Sequence, residues 1–271
     1  MAISPRTQLC GVILHPAGHT RSPAMHNAAF GALGIDAVYL AFDVPPSALG
    51  AALAGARALG FRQLAVSLPH KEAVLPHLDE VEETARRIGA VNTVTLRDGR
   101  LIGANTDWMG AIRALERETT LEDRDVVVLG AGGTARAIVW GALARGARVM
   151  VLNRDRGRAE RLTGDLGGRC AGGLDQLAGL PCDVLINTTS VGLRSDDSPV
   201  PGESIPSHAV VLDAVYDPPR TRFLRDAEAK GARIIGGKWM LVHQAAEQLR
   251  IWSGYEPPVD VMADAFEAEG A

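Results

Sequence analysis

The sequence predicts an α/β protein built from two domains. The chain has 271 residues, which is enough for two separate cores. Apolar strand-like runs alternate with helix-like segments from end to end, and a glycine-rich turn joins a buried strand to a helix near the middle. Hydrophobic residues make up 46% and charged residues 22%, as in ordinary globular proteins.

In the first part of the chain, strand-like and helix-like segments alternate, which predicts a sheet with helices between its strands. A helix is expected between the second and third strands, where Pro45 and Pro46 suit a helix start. The turn signal RDGR (97–100) predicts a hairpin over 90–104, so we expect an α/β sheet with one antiparallel edge. The predicted strands are LCGVIL (9–14), VYLAFDV (38–44), QLAVSL (63–68) and AVNTVTL (90–96).

The second part contains a complete βαβ unit. Residues 125–154 read as a buried strand, a glycine turn, a helix with an apolar stripe, and a second strand. A helix before this unit is predicted from Asn105-Thr106-Asp107 to about Glu118. Further strands are predicted at 182–189, 209–215 and 232–237, followed by a helix over 238–252 and a last helix after Pro257-Pro258.

Charge and cysteine content narrow the function classes. A net charge of -4 gives no general affinity for nucleic acid or anionic membranes. Cys10, Cys170 and Cys182 lack metal-ligand or redox spacing, so we expect buried free thiols, no metal site and a reducing cytoplasm. The N-terminal run does not resemble a signal peptide, and no apolar stretch approaches the length of a membrane span.

Lysine is scarce in this chain. Of the 28 basic side chains, only Lys71, Lys230 and Lys238 are lysines. Lysine can lose its proton near neutral pH in a suitable environment, whereas arginine effectively cannot. A lysine here is therefore a mild pointer to proton chemistry, although a surface charge is the ordinary alternative.

The glycine turn predicts a dinucleotide site. Its glycines would let backbone amides approach a pyrophosphate at the positive end of the following helix. A glycine-rich turn without a ligand is the alternative. The usual third glycine is absent, but small alanines still permit close packing of the helix on the sheet. The residues concerned are Gly130, Gly132, Gly133, Thr134 and Ala135.

The end of the next strand bears on the choice of cofactor. Asn153 lies 20 residues after Gly133, where an acid that binds the ribose 2′-hydroxyl would be expected. Arg154, Arg156 and Arg158 form a basic cluster suited to a 2′-phosphate, which favours NADP. Asp155 opposes this choice, so NAD stays possible, and Arg156 has the alternative of a surface residue on the next helix.

Four short motifs place polar side chains at loops and strand ends of the first domain. Thr20 and Ser22 precede a helix and could bind an anion, or cap that helix. Ser67 and Lys71 follow a strand, and Asn92 starts the next one. Asp107 stands where the first domain should end, and a helix N-cap is its ordinary role.

In their order and spacing, these motifs resemble the shikimate dehydrogenase family. The resemblance continues through the glycine turn and Asn153-Arg154, and it covers nearly the whole chain. Its later segments are INTTSVGL (186–193), LDAVYDPPRTRFLRDAEAKG (212–231) and MLVHQAAEQLRIWSG (240–254).

The resemblance implies an architecture and an activity. It implies a substrate domain at 1–106 and 239–271, with C-terminal helices returning to it, and a Rossmann-type domain at 107–238. The implied reaction is the reversible NADPH-dependent reduction of 3-dehydroshikimate to shikimate in the chorismate pathway to aromatic amino acids. The alternative is an NAD-dependent quinate/shikimate dehydrogenase. In either case we expect a cytoplasmic monomer or homodimer acting on small molecules.

The resemblance also assigns roles to residues. Lys71 would be the general acid–base, with Asp107 orienting it. Ring hydroxyls would be bound by Asn92, Asp107, Gln244 and Ser67, and the substrate carboxylate by Thr20 and Ser22. The cofactor would contact Gly130, Gly132, Gly133, Thr134, Ala135, Asn153, Arg154, Arg158 and Gly237.

Four departures from the family pattern leave the substrate and cofactor open. Thr20 stands where the family usually has Ser, and Ala65 where it commonly has Asn. Asp155 replaces a frequent Thr, and Lys238-Trp239 replaces a frequent Leu-Gly pair. A non-catalytic dinucleotide-binding regulator would need neither Lys71 nor Asp107, and a folate-type dehydrogenase would not explain the Thr20/Ser22 and Asn92 motifs.

Overall fold

The computed structural model describes residues 3–18 and 20–268, and it divides into two compact units. The first unit holds the described residues up to Thr106 and those from Val242 onward, and the second is Asp107–Leu241. The second division falls inside a long helix, Gly237–Ser253, three residues beyond the boundary predicted at 238/239. His19 and both chain ends of the predicted substrate domain lie outside the described residues. Within the described ranges, no helix is long and apolar enough to cross a membrane.

The first unit is organised around one six-stranded sheet in the order β2-β1-β3-β5-β6-β4. Its core packs helix side chains such as Leu49 and Leu53 against strand residues such as Val66 and Val94. The elements are β1 (Gln8–Leu14), α1 (Ser22–Leu33), β2 (Ala37–Asp43), α2 (Leu49–Ala58), β3 (Gln63–Val66), β4 (Glu80–Val81), α3 (Glu83–Ile88), β5 (Thr93–Arg97) and β6 (Arg100–Ala104).

The antiparallel strand of this sheet is interior, so the prediction of an antiparallel edge was wrong. β5 pairs antiparallel with both β3 and β6, and the edge position belongs to β4, which pairs parallel with β6. β4 has only two residues and gives no periodic signal in the sequence. The hairpin itself is present. Asp98 and Gly99 both have positive φ at its turn, as a two-residue hairpin turn requires.

The second unit contains a six-stranded, fully parallel sheet in the order β12-β11-β10-β7-β8-β9. This is the doubly wound order of dinucleotide-binding domains, and its winding reverses between β7 and β10. The elements are α4 (Asp107–Leu115), β7 (Asp125–Leu129), α5 (Gly133–Leu143), β8 (Arg148–Leu152), α6 (Arg156–Leu166), β9 (Arg169–Gly172), β10 (Val184–Asn187), β11 (Val210–Asp213), α7 (Arg222–Ala229) and β12 (Arg233–Ile235). Among the described residues, the last two helices are α8 (Gly237–Ser253), which starts in this unit, and α9 (Val259–Ala268) in the first unit.

The helices of the second unit approach closely where side chains are small. A Cβ atom on Gly141 of α5 would lie 2.9 Å from the Ile112 side chain of α4. Trp108 and Trp140 meet edge to face beside this contact, with ring centroids 4.8 Å apart. The cysteines are free, as predicted; Cys10 and Cys182 are buried, whereas Cys170 is only half-buried.

Candidate active site

The first unit contains a buried amide–hydroxyl cluster around Asn92, the residue that precedes β5. The Nδ2 of Asn92 donates to Thr106 Oγ1 at 3.0 Å and to Gln244 Oε1 at 3.1 Å. Its Oδ1 accepts from the Thr106 amide and from Thr93 Oγ1, both at 2.8 Å. Thr106 Oγ1 also donates to the Gln244 carbonyl oxygen at 3.0 Å. The structure thus brings together two predicted ring-hydroxyl ligands, Asn92 and Gln244, which are 152 residues apart.

This cluster can recognise hydroxyl groups. Amides offer two donors and an acceptor with two lone pairs, and the threonine hydroxyl can both donate and accept. All four positions of the Asn92 amide are used within the cluster, so Asn92 binds a ligand hydroxyl by exchanging one of these bonds. Asn92 and Gln244 are only 2% and 7% exposed. Their orientations are therefore fixed by the fold, which favours binding of a polyhydroxylated small molecule with defined geometry.

The Lys71 backbone lies next to this cluster, in the turn that follows β3. Its carbonyl oxygen accepts from the Val91 amide at 2.8 Å, which fixes the Lys71 backbone beside the residue before Asn92. Ser67 directly follows β3, and its own amide donates to Ile13 O at 3.0 Å. The Lys71 and Ser67 side chains are both half-buried. The sequence motif from 67 to 71 therefore leads from the end of β3 towards the start of β5.

Thr20 and Ser22 stand together at the start of α1. Thr20 Oγ1 donates to Ser22 Oγ at 3.2 Å, and it accepts from the Ser22 amide at 3.3 Å. Arg21 occupies the N-cap position and makes no side-chain cap bond. Two hydroxyls at a helix N-terminus suit a carboxylate, because the helix dipole favours negative charge there.

Asp107 is the first residue of α4 and is 4% exposed. A carboxylate in the first turn of a helix is stabilised by the free amides and the dipole of that helix. It belongs to the second unit, directly after Thr106. Its predicted roles, orienting Lys71 and binding a ring hydroxyl, remain predictions.

The second unit places its glycine turn at the point where its winding reverses. Gly130 follows β7 with φ +111°, and a Cβ there would lie 2.5 Å from Thr188 Oγ1, so glycine is required. Gly132 caps α5 without a side-chain hydrogen bond, and a Cβ there would meet no atom within 4 Å. The Cβ position of Gly132 is therefore open, which lets a ligand group approach the backbone at the start of α5. Gly133 and Thr134 are half-buried in the first turn of α5, and Ala135 is fully buried against the core.

Asp155, which follows β8, has a role in the protein that does not require a contact with a ribose. Its Oδ1 accepts from the Arg158 amide at 3.2 Å and thereby caps α6. Asn153 Nδ2 donates to the Asp155 carbonyl oxygen at 2.8 Å. Arg154 and Arg158 are exposed, whereas Arg156 pairs with Glu160 at 2.8 Å on the surface of α6. Binding of a 2′-phosphate by Arg154 and Arg158 stays a prediction, whereas Asp155 has a structural role as the cap of α6.

Gly237 begins α8 in a crowded position. A Cβ there would lie 2.8 Å from the carbonyl oxygens of both Ala214 and Val215, so only glycine fits. Trp239 lies two residues on, with the Arg117 guanidinium 4.1 Å and the Lys238 ammonium 5.0 Å from its ring centroid. The departure at 238–239 therefore adds a cation–π stack to the second unit.

Sequence reasoning missed a second buried polar cluster and one member of the first. Asp213 ends β11, and its oxygens accept from Thr221 Oγ1 at 2.6 Å, Asn187 Nδ2 at 2.9 Å and the Val215 amide at 3.0 Å. Burial raises the pKa of Asp213 to about 6, while these hydrogen bonds partly oppose the shift. The sequence signal that could have identified Asp213 is an acidic residue at the end of a buried strand. Thr106 was not recognised as a site residue because Asn105-Thr106-Asp107 reads as a helix start.

Known proteins resemble the chain along nearly its whole length. Family models match residues 12–94 (shikimate dehydrogenase substrate binding domain), 113–192 (shikimate / quinate 5-dehydrogenase) and 237–265 (shikimate 5′-dehydrogenase C-terminal domain). The shikimate dehydrogenase (NADP(+)) of Thermococcus kodakarensis is 49% identical, with 96% of each chain covered. That of Pyrococcus abyssi is 46% identical, covering 93% of this chain and 94% of the relative.

A solved structure agrees with these sequence comparisons. The shikimate 5-dehydrogenase of Thermus thermophilus, in complex with NADP(H) and shikimate, aligns with a TM-score of 0.90 and 40% identity. The alignment covers 96% of this chain and 99% of that structure.

Proposed function

This chain belongs to the shikimate dehydrogenase family, and we propose that it catalyses the reversible NADP-dependent reduction of 3-dehydroshikimate to shikimate. The observation that carries the proposal is the buried cluster of Asn92, Thr106 and Gln244, next to the backbone of Lys71. A non-catalytic binder needs no lysine at that position, and only three of the 28 basic side chains are lysines.

The residues of the first unit would divide the work of the reaction. The amides of Asn92 and Gln244, together with the hydroxyl of Ser67, bind and orient the ring hydroxyls. Thr20 and Ser22 bind the ring carboxylate at the N-terminus of α1, since their hydroxyls share one helix turn. Orientation by several fixed groups lowers the barrier because the reacting atoms are held in position before the reaction begins.

Lys71 would move the proton. When bound, NADPH supplies the hydride that reduces the ketone carbon. In that direction the Lys71 ammonium gives a proton to the ketone oxygen, which becomes the hydroxyl of shikimate, and in the reverse direction the neutral amine takes it back. Asp107, at the start of α4, would stabilise the ammonium form and contact a ring hydroxyl.

The cofactor fits the second unit as NADP. Gly130, Gly132, Gly133, Thr134 and Ala135 would place the pyrophosphate at α5, with Asn153 at the adenosine ribose and Gly237 at the start of α8. Arg154 and Arg158 would bind the 2′-phosphate, because both are exposed near the end of β8. The capping role of Asp155 supports NADP over NAD, since its carboxylate already accepts a hydrogen bond from the protein.

The proposal also covers the cellular compartment and the oligomeric state of the enzyme. We place the enzyme in the cytoplasm, in keeping with its free thiols, as a monomer or homodimer that acts on small molecules rather than nucleic acid. Its product would enter the chorismate pathway to aromatic amino acids.

The deciding experiment offers shikimate and quinate separately with NADP and with NAD, and follows the absorbance of the reduced nicotinamide. We expect turnover with shikimate and NADP, and little with quinate or NAD. Preference for NAD with turnover of quinate would replace the proposal with the catabolic alternative. No turnover in any of the four pairings would mean that Thr20, Ala65 and Trp239 have redirected the site to another substrate.

A further inference from the structure

A layer of buried polar side chains lies behind the Asn92 cluster, within the first unit. Cys10 pairs in register with Tyr39 on one side and with Gln63 on the other, so the three side chains share a sheet face. The Tyr39 ring stacks on His26 of α1 at 4.1 Å between centroids. Three polar atoms of this layer are buried without a hydrogen-bond partner: the Tyr39 hydroxyl and both amide atoms of Gln63.

Gln248 joins this layer to the Asn92 cluster. Its Nε2 donates at 3.0 Å to the carbonyl oxygen of Asn92, which also accepts from the Val66 amide at 2.8 Å in the sheet. Gln248 is 1% exposed. Its contact therefore fixes the Asn92 peptide from the helix side, while the strand ladder fixes it from the sheet side.

The same helix holds Asn92 at a second point. Gln244 precedes Gln248 by four residues on α8, so both side chains lie on one helix face. Gln244 Oε1 accepts from the Asn92 side chain, whereas Gln248 donates to the Asn92 backbone. These two bonds, one helix turn apart, set both the position and the rotation of α8 over the start of β5.

We propose that Gln248 is a positioning residue for the substrate, because it fixes the relative placement of the Asn92 and Gln244 amides without touching the substrate itself. This inference rests on the proposed function, in which both amides bind ring hydroxyls. Loss of the Gln248 bond lets α8 shift against β5, so the two amides no longer match one set of hydroxyls.

The test compares two buried glutamines of the same layer. Gln248→Met removes the bond to Asn92 O with little change in volume, and Gln63→Met is the matched control because neither Gln63 amide atom has a partner. We expect Gln248→Met to raise the KM for shikimate about fivefold, the scale of one lost hydrogen bond. The KM for NADP should stay within about twofold, since α5 and α6 are not altered. Gln63→Met should leave both KM values at the wild-type level.

A second variant covers the case in which Gln248→Met does not fold. Gln248→Asn keeps an amide in the layer but is one methylene too short to reach Asn92 O, so the same rise in the KM for shikimate is expected. Equal KM values for shikimate in wild type and a folded Gln248 variant would overturn the inference and leave the proposed function intact. A wild-type protein that does not turn over shikimate would overturn both.

Discussion

The two units of this protein differ in how well their buried polar side chains are hydrogen-bonded. In the second unit, Asn187 ends β10, Asp213 ends β11, and Thr221 caps α7. All three are buried, and Asn187 and Thr221 both donate to the Asp213 carboxylate. In the first unit, Tyr39 and Gln63 are equally buried, yet the Tyr39 hydroxyl and both amide atoms of Gln63 have no partner. Among the described residues, every buried side-chain polar atom without a partner belongs to the first unit.

This difference has a cost in stability, because an unpaired buried polar group costs roughly 1–3 kcal/mol. The second unit avoids this cost at Asp213, since Asn187 and Thr221 both donate to its carboxylate. The first unit carries the cost at Tyr39 and Gln63, in the layer that Gln248 joins to Asn92.

The largest effect should come from the lysine of the first unit. Lys71→Ala removes the proposed proton donor, and we expect kcat to fall about a thousandfold, within the usual range for general acid–base catalysis. Affinity for NADP, measured by nucleotide fluorescence titration, should stay unchanged because the glycine turn lies in the second unit.

Lys230→Ala is the matched control for this prediction. Lys230 is an exposed lysine of the second unit whose Nζ donates to Glu203 O at 3.3 Å. Its loss should leave kcat at the wild-type level. A folded Lys71→Ala enzyme within tenfold of wild type would show that the proton moves through another group.

The next largest effect is on the free energy of unfolding at acidic pH, and it comes from His26. Burial lowers the pKa of His26 from its ordinary value of 6.5 to about 3, against an opposing effect of Gln248. The unfolded chain therefore takes up this proton first, and the stability contributed by neutral His26 is lost as the pH falls from 6.5 towards 3. Between pH 7 and pH 5 the loss from this group is about 2 kcal/mol.

His26→Phe should remove that part of the pH dependence. Phenylalanine keeps a ring beside Tyr39 and cannot be protonated. Urea unfolding at pH 7 and pH 5 measures the change, with His208→Gln, an exposed histidine of the second unit, as the control. An unchanged difference between the two pH values in His26→Phe would mean that the folded protein tolerates a charged His26.

The regular parts of the fold were predictable because their signals are local. Residues 125–154 contain a buried strand, a glycine turn and a helix with its own periodicity, and they fold as β7, α5 and β8. β4 and β9 were missed because one has two residues and the other has no fully buried residue. The interior place of β5 was also missed, since strand neighbours are set by contacts distant in sequence.

The same contrast holds for the candidate site. The motifs around Asn92 and Lys71 located polar side chains at strand ends, which is a local property. Thr106 could not be recognised, because its hydroxyl bonds to residues 14 and 138 positions away. Gln248 lies on a helix whose apolar face predicted packing alone, and its contact is 156 residues away in sequence.

The smallest effect on the pH dependence of stability should come from Asp213, and it should be opposite in sign to the effect of His26. Burial raises the pKa of Asp213 from its ordinary value of 3.8 to about 6, so the folded protein binds this proton more tightly than the unfolded chain does. Stability from this group is therefore gained as the pH falls through 6, and it is lost as the pH rises from 3.8 to 6. Between pH 7 and pH 5 the gain is about 1 kcal/mol.

Asp213→Asn should lack this gain, because the amide does not titrate. Urea unfolding of the variant and of Asp175→Asn, an exposed aspartate in the same unit, separates the buried carboxyl from general charge effects. The double variant His26→Phe/Asp213→Asn should then show the sum of two opposite changes, since the two residues belong to different units. The stability difference between pH 7 and pH 5 could instead be the same in Asp213→Asn and wild type. That result would mean that the hydrogen bonds from Thr221, Asn187 and Val215 keep Asp213 ionised. These donors would then offset the cost of burying its negative charge.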